Sequence, residues 1–190
     1  MEIKSRTELV ELMKHLNLPL VAAEIGVAEG IWSSELWSLG LKKLYLVDIW
    51  ENVPFIDGCA SFDQEWHDKN YLEVKERFFQ NPNVVILKGF SHKMANEIPD
   101  ESLGMVYIDA DHSYHGSKAD LNVWSKKVAK GGIIAGHDYL NPNYGVNRAV
   151  QEFTRNEVEV HILEREEGIE NAGFYFIKQS EEDGIPNTGR

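Results

Sequence analysis

Five short apolar runs in this chain each end in a glycine or an acid, and helical spacing fills the gaps between them. Leu20 to Ile25 runs into Gly26, Lys43 to Val47 into Asp48, and Val84 to Leu87 stops just before Gly89. Gly104 to Ile108 runs into Asp109, and Ile133 to Ala135 into Gly136 and His137. Runs this short and this apolar are strands covered on both faces. Parallel neighbours need a crossover, and a helix supplies it.

The intervening segments carry the helical period. Ser5, Arg6, Thr7 and Glu8 have capping-box spacing before Leu9, Leu12, Met13 and Leu16, so a helix is expected over residues 5–17. Further helices are expected from Gly30 to near Gly40 and from Tyr71 to Phe79. Leu121, Trp124 and Val128 share a face on a helix that Gly131 and Gly132 should terminate, and Val146, Ala149, Val150 and Phe153 mark another. Val158 to Leu163 and Phe174 to Ile177 are joined by a short polar loop with no room for a helix, so they should pair antiparallel. Residues 51–64 read as a loop long enough to be a lid, and the last ten residues as a frayed tail. The expected architecture is α/β: one domain over residues 1–180, a mostly parallel sheet with helices on both faces, and a polar tail at 181–190.

Charge and composition narrow the function. With 190 residues the chain can bury about 70% of its unfolded surface. No apolar run approaches the 18 or so residues of a membrane span, and the start lacks a secretory pattern. The single cysteine, Cys59, cannot form an internal disulfide, and these features together point to the cytoplasm. A formal net charge of -12 repels nucleic acid and anionic lipid alike, which favours a small-molecule partner and leaves a homo-oligomer open.

Sites in such sheets lie beyond the carboxyl ends of the strands. That places Glu24 to Gly30, Asp48, Gly89 to Ser91, Asp109 to His112, and His137 to Tyr139 along one edge. A dinucleotide fingerprint would want glycines at 26, 28 and 31, where the chain has Gly26, Ala28 and Ile31, so a pyrophosphate cradle is not expected. The turn suits an adenosine ligand without phosphates. Asp48 stands where an acid accepts hydrogen bonds from a ribose diol.

The pattern Glu24-x-Gly26-x-x-x-Gly30, Asp48, Gly89-Phe90-Ser91, Tyr107 to Tyr114 and Gly131 to Tyr139 resembles the class I S-adenosylmethionine-dependent methyltransferases over residues 20–178. Within them it is similar to the small-molecule group of macrolide-sugar O-methyltransferases and cephalosporin-hydroxylase-like proteins. The resemblance implies a Rossmann-like sheet of order 3-2-1-4-5-7-6 with strand seven antiparallel. It implies that Glu24, Gly26 and Gly30 surround the methionine moiety, with Ser33 and Asp109 in reach. Asp48 would hold the ribose, and Gly89, Phe90 and Ser91 would flank the adenine. Ala28 departs from the family's middle glycine.

Asp109, Asp111 and His112 end one strand and His137 and Asp138 its neighbour, about 4.8 Å away. Facing carboxylates need a proton, a cation or divergent directions. An oxygen-rich set with an imidazole suits Mg²⁺ or Mn²⁺, and the resemblance assigns the metal to Asp109, His137 and Asp138. Such an ion lowers the pKa of an acceptor hydroxyl; without one, His112 or His137 is the general base, with Asp109 in the catalytic set. The expected function is methyl transfer from S-adenosylmethionine to a hydroxyl of a small molecule. The alternatives are a non-haem Fe(II) oxygenase, which the α/β rhythm disfavours, and a catalytically silent S-adenosylmethionine-binding domain.

Bland readings apply elsewhere. His15, His67, His92, His115 and His161 read as solvated, Asp120 as a complement to its helix dipole and Trp124 as core. Trp50, Phe55, Tyr139 and Tyr144 are candidates for the walls of an acceptor pocket.

Overall fold

The computed structural model describes residues 1, 3–54, 62–164 and 172–179. Its strands are β1 (Val21–Ile25), β2 (Lys43–Asp48), β3 (Val84–Lys88), β4 (Leu103–Ile108), β5 (Val128–Gly136), β6 (His161–Ile162) and β7 (Phe174–Ile177). They form one seven-stranded sheet of order β3-β2-β1-β4-β5-β7-β6. β1 to β5 pair in parallel, and β7 runs antiparallel to both β5 and β6.

Among the described residues six α-helices flank it: α1 (Leu9–His15), α2 (Ile31–Ser38), α3 (Gln64–Arg77), α4 (Ser91–Met94), α5 (Tyr114–Trp124) and α6 (Val146–Thr154). Alternation along the strands feeds two cores. Ala22, Leu44, Leu46, Tyr107 and Ala135 meet α1, α2 and α3 through Leu9, Val10, Met13, Leu36 and Val74. Ala23, Ile25, Val47, Val106 and Ile134 meet α5 and α6 through Leu121, Trp124, Ala149 and Val150. With both faces dry, the strands must be apolar throughout, and only their carboxyl ends are left for chemistry.

Several boundaries differ from the sequence expectation. The helix expected at 5–17 opens as a 3-10 turn over Arg6–Glu8, where the Ser5 N–H donates to Glu8 Oε2 at 3.0 Å and the Thr7 N–H to Ser5 Oγ at 3.1 Å. α3 begins at Gln64, well before Tyr71, because Asp63 accepts the Trp66 N–H at 2.9 Å and caps it. α5 stops at Trp124, and Val128 opens β5 instead of closing the helix. Gly131 and Gly132 lie inside that strand at a register shift: Leu103 faces Val128, yet Met105 faces Ile133. Gly131 has φ 71°, so the pair makes a bulge rather than a helix stop. The short α4 follows Gly89 in a stretch for which no element was predicted. Phe55, Cys59 and the core of the 51–64 loop lie outside the described residues, as does the 181–190 tail. Among the described residues no helix is long and apolar enough to cross a membrane.

Candidate active site

The turn after β1 is pressed against the end of β4. Gly26 has φ 88°, and a Cβ there would lie 2.0 Å from the Asp109 carbonyl oxygen, so no side chain fits. The Asp109 N–H donates to the Ile25 carbonyl at 2.7 Å, and the Gly26 N–H to that of Val47 at 2.9 Å. Gly30 then starts α2 with φ 71°.

Asp48 closes this turn from β2. Its Oδ2 accepts the N–H groups of Val27 at 2.7 Å and Ala28 at 2.8 Å, and its Oδ1 that of Trp50 at 2.8 Å. A carboxylate offers about four acceptor positions, so little of this one is left for a ribose diol. The Trp50 indole donates to the Ala28 carbonyl at 2.9 Å and the residue is fully buried. Trp50 therefore packs the turn from within and does not line a pocket. The Gly89 N–H donates to the Asp48 carbonyl at 2.9 Å, bringing the third strand end alongside. Phe90 is half-buried. Ser91 accepts the Trp124 indole N–H at 2.7 Å and donates to Asp120, so its hydroxyl is committed to the protein.

Inside the rim, Glu24 is 2% exposed and its Oε2 has no hydrogen-bond partner. Burial pushes its carboxyl up to about 8, against the pull of Ser33 and with help from Asp109 and Asp48. Ser33 Oγ, Trp32 Nε1 and the Tyr107 hydroxyl are likewise buried and unpartnered. Tyr107 faces Glu24 across the β1–β4 ladder, and Trp32 packs on Tyr107 at 5.5 Å between ring centroids. Orphaned polar groups of this kind are costly in a folded chain unless a ligand completes them.

Next to them, Asp109, His137 and Asp138 each offer one ligand atom, all within 4.8 Å of one another. The expected metal set is thus assembled by adjacent strand ends. Asp138 is 6% exposed and held with φ 58°, which turns its carboxylate back toward β4. His112 Nε2 lies 3.3 Å from Asp109 Oδ1 and 3.2 Å from Asp138 Oδ2, so an imidazole stands between the two acids. The His112 ring stacks on Tyr144 at 4.6 Å and 11°. His137 Nδ1 is 3.4 Å from Asp138 Oδ2, while its Nε2 is buried without a partner. Burial opposes the charged form of His137, but the bond to Asp138 and the charges of Asp109 and Asp138 outweigh it and raise its pKa. Two carboxylate oxygens and one imidazole nitrogen make a donor set that fits a divalent ion such as Mn²⁺.

Beside this cluster a small recess of about 10 Å³, room for about one water molecule, lies between β4, α5 and α6, lined by Ala110, Ser117, Leu121, Val146, Val150 and Phe174 among others.

A family of proteins described as methyltransferase domain matches residues 23–139, from β1 through the end of β5. The chain belongs to the methyltransferase-domain family. The family's methyl donor is S-adenosylmethionine, and the glycine turn with its orphaned polar atoms fits such a molecule. Solved methyltransferases share the fold. The O-methyltransferase NovP superposes with a TM-score of 0.66 at 20% identity, covering 92% of this chain and 78% of that one. The calicheamicin methyltransferase CalS11 gives 0.61 at 16% identity, with 90% and 77% covered. A putative rRNA methylase from Clostridium thermocellum gives 0.61 at 14% identity, with 94% and 100% covered. No curated protein matches the chain in sequence. The sheet order and the antiparallel seventh strand agree with the methyltransferase fold that the resemblance implied.

Other expectations need correction. His67 is 4% exposed, packed edge-on against Trp66, and is not solvated. His161 stacks on Tyr175 at 4.6 Å. Asp120 sits in the middle of α5, buried against Ser91, too far along the helix to answer its dipole. Tyr139 is buried against Phe174, so among the described pocket candidates only Tyr144 reaches the site. Sequence reasoning missed Trp32 and Tyr107, which the apolar pattern absorbs as core, and Arg6, which reads as part of a helix cap. The guanidinium of Arg6 lies 4.2 Å over the Trp32 ring.

Proposed function

We propose that this protein transfers the methyl group of S-adenosylmethionine to a hydroxyl of a small molecule, with a divalent ion held by Asp109, His137 and Asp138. The observation that supports this reading is the meeting of these three residues with His112 at one rim, beside the buried polar atoms of Glu24, Ser33 and Tyr107. The first group suits the acceptor and the second the methyl donor.

A bound divalent ion supplies Lewis acidity that makes a hydroxyl easier to deprotonate. The chain's own residues do the rest. Asp109 and Asp138 offer carboxylate oxygens and His137 an imidazole nitrogen. His112, held between the two acids and stacked on Tyr144, is placed to receive the acceptor's proton, and the carboxylates stabilise the imidazolium that results. Glu24 and Ser33 face the methionine end of the donor. Gly26 and Gly30 let the donor approach the backbone, and Asp48 holds that backbone in shape. Gly89 and Phe90 flank the adenine. The net charge of -12 favours a small neutral or cationic acceptor over RNA.

The test is mass spectrometry of hydroxylated small molecules incubated with protein, S-adenosylmethionine and Mn²⁺ or Mg²⁺. The expected product is heavier by one methyl group. Asp138→Ala should abolish turnover while sparing S-adenosylhomocysteine binding; full turnover in that variant would remove Asp138 from the mechanism.

A further inference from the structure

One loop grips His112 from several directions. The segment from Asp138 to Gly145 follows β5, turns back and returns to the loop between β4 and α5 that carries His112. It meets that residue in three ways. Asp138 Oδ2 lies 3.2 Å from the imidazole Nε2, the Tyr144 ring stacks on the imidazole at 4.6 Å and 11°, and the Gly145 N–H donates to the His112 carbonyl at 2.8 Å. An edge, a face and the backbone of one residue are thus held by one short stretch of chain.

The loop is itself tied into shape. The Asn141 N–H donates to the Asp138 carbonyl at 3.1 Å, and the Asn143 N–H to Asn141 Oδ1 at 3.1 Å, which closes a turn between the two ends of the grip. At the far end, a Cβ on Gly145 would lie 2.1 Å from the Tyr114 backbone nitrogen, so the two loops touch backbone to backbone. Tyr144 is half-buried against the core under α5 and α6. These ties leave its ring little freedom to slide along the imidazole.

An imidazole needs more than a partner at its tip to be held in place. Asp109 at 3.3 Å and Asp138 at 3.2 Å fix where Nε2 sits, but the torsion that turns the ring plane is broad. A parallel aromatic face removes that rotation. It also covers one side of the ring, so a molecule meeting His112 comes from the opposite side or along the ring edge.

We infer that Tyr144 is a positioning residue, which sets the plane of the His112 imidazole and acts on methyl transfer only through that ring. The inference rests on the proton-accepting role proposed above for His112. It takes Tyr144 out of the acceptor-pocket wall, where its place in the sequence had put it.

Nuclear magnetic resonance of protein with labelled histidine and tyrosine rings reads the placement without any substrate. In the unaltered protein, the His112 ring protons should show through-space contacts to the Tyr144 ring and to the Asp138 side chain. Tyr144→Leu should lose the contact to Asp138, and Tyr144→Phe should restore it. With an acceptor in hand, Tyr144→Leu should lower kcat about 2- to 10-fold while KM and Mn²⁺ affinity stay unchanged, and Tyr144→Phe should recover most of the loss. A raised KM at constant kcat in Tyr144→Leu would make Tyr144 an acceptor contact and overturn the inference. So would a His112–Asp138 contact that persists in that variant. The unaltered protein can refute it alone, by showing no contact between the two rings, whether or not the leucine variant folds. If no acceptor is methylated, the methyl-transfer reading fails, whereas the resonance contacts still decide whether Tyr144 holds the ring.

Discussion

The Asp48 carboxylate holds the N–H of Ala28 at 2.8 Å, with Val27 and Trp50 as its other donors, so the acid ending β2 shapes the glycine turn of β1. Three backbone donors on one carboxylate make a strong, charge-assisted tie. Asp48→Ala strands all three and should lower stability by about 3 kcal/mol, or roughly 6–12 °C in melting temperature for a chain of this size. Thermal unfolding without any ligand checks it. An unchanged melting temperature would mean that Asp48 is held ready for ribose alone.

Ala28 has φ 48°, left-handed backbone that a Cβ disfavours, at the position where the related turn carries its middle glycine. Its carbonyl and N–H are both tied, so the strain is kept. Ala28→Gly relieves it but loosens the unfolded chain, and a net gain of about 0.5–1 kcal/mol is expected, read as a small rise in melting temperature. Ala28→Val should destabilise instead.

The parallel part of the sheet was legible because the apolar runs of β1 to β5 each lead to a glycine or an acid, and that signal survives without long-range information. The meeting of Asp109, His137 and Asp138 at one rim was legible for the same reason: Asp109 and His137 each follow the last residue of a strand, and β4 and β5 are neighbours. What escaped depends on contacts distant in the chain. Arg6 reaches Trp32 only because α1 folds over the sheet, and no local pattern announces that. Asp120 is buried because Ser91, 29 residues earlier, turns toward it. The Gly131-Gly132 pair reads as a helix stop in sequence, yet strand pairing with β4 makes it a bulge. Val128 has the helical spacing of Leu121 and Trp124 but is claimed by its partner Leu103.

Glu24 keeps its proton near neutral pH, because burial raises its carboxyl to about 8. Placing the donor's positive groups against it favours the ionised form, so binding at pH 7 should release close to one proton, falling toward none above about pH 9. Calorimetry in two buffers of different ionisation enthalpy measures the release. Glu24→Gln should abolish it; an unaltered release in that variant assigns the proton to another group.

Removal of ligands from the triad should act unequally on metal binding. Asp109→Asn, His137→Ala and Asp138→Ala should each weaken Mn²⁺ by about tenfold or more. His112 stands between the same carboxylates at 3.2–3.3 Å without being one of the three, so His112→Ala should bind Mn²⁺ at least as well as the unaltered protein. Mn²⁺ titration followed by electron paramagnetic resonance distinguishes these outcomes. Equal loss in all four variants would make His112 a ligand.

Asp120 gives the fold a pH dependence opposite to that of its salt-bridged acids. Burial raises its carboxyl to about 6 although the bond from Ser91 pulls down, and the nearby Asp111 adds to the rise. The folded pKa thus lies above the unfolded value of 3.8, so the folded chain holds this proton more tightly than the unfolded chain does. The resulting stabilisation is complete below about pH 4 and is lost as pH rises through about 6, a change on the order of 3 kcal/mol. Asp100, whose pKa is lowered by its bond to Lys127, works in the other direction, so the total profile mixes both. The difference between the unaltered protein and Asp120→Asn isolates the buried group, since asparagine still accepts the Ser91 hydroxyl. Denaturant unfolding between pH 4 and pH 8 should show the variant gaining on the unaltered protein as pH rises. Parallel profiles would show that Asp120 stays ionised in the folded chain.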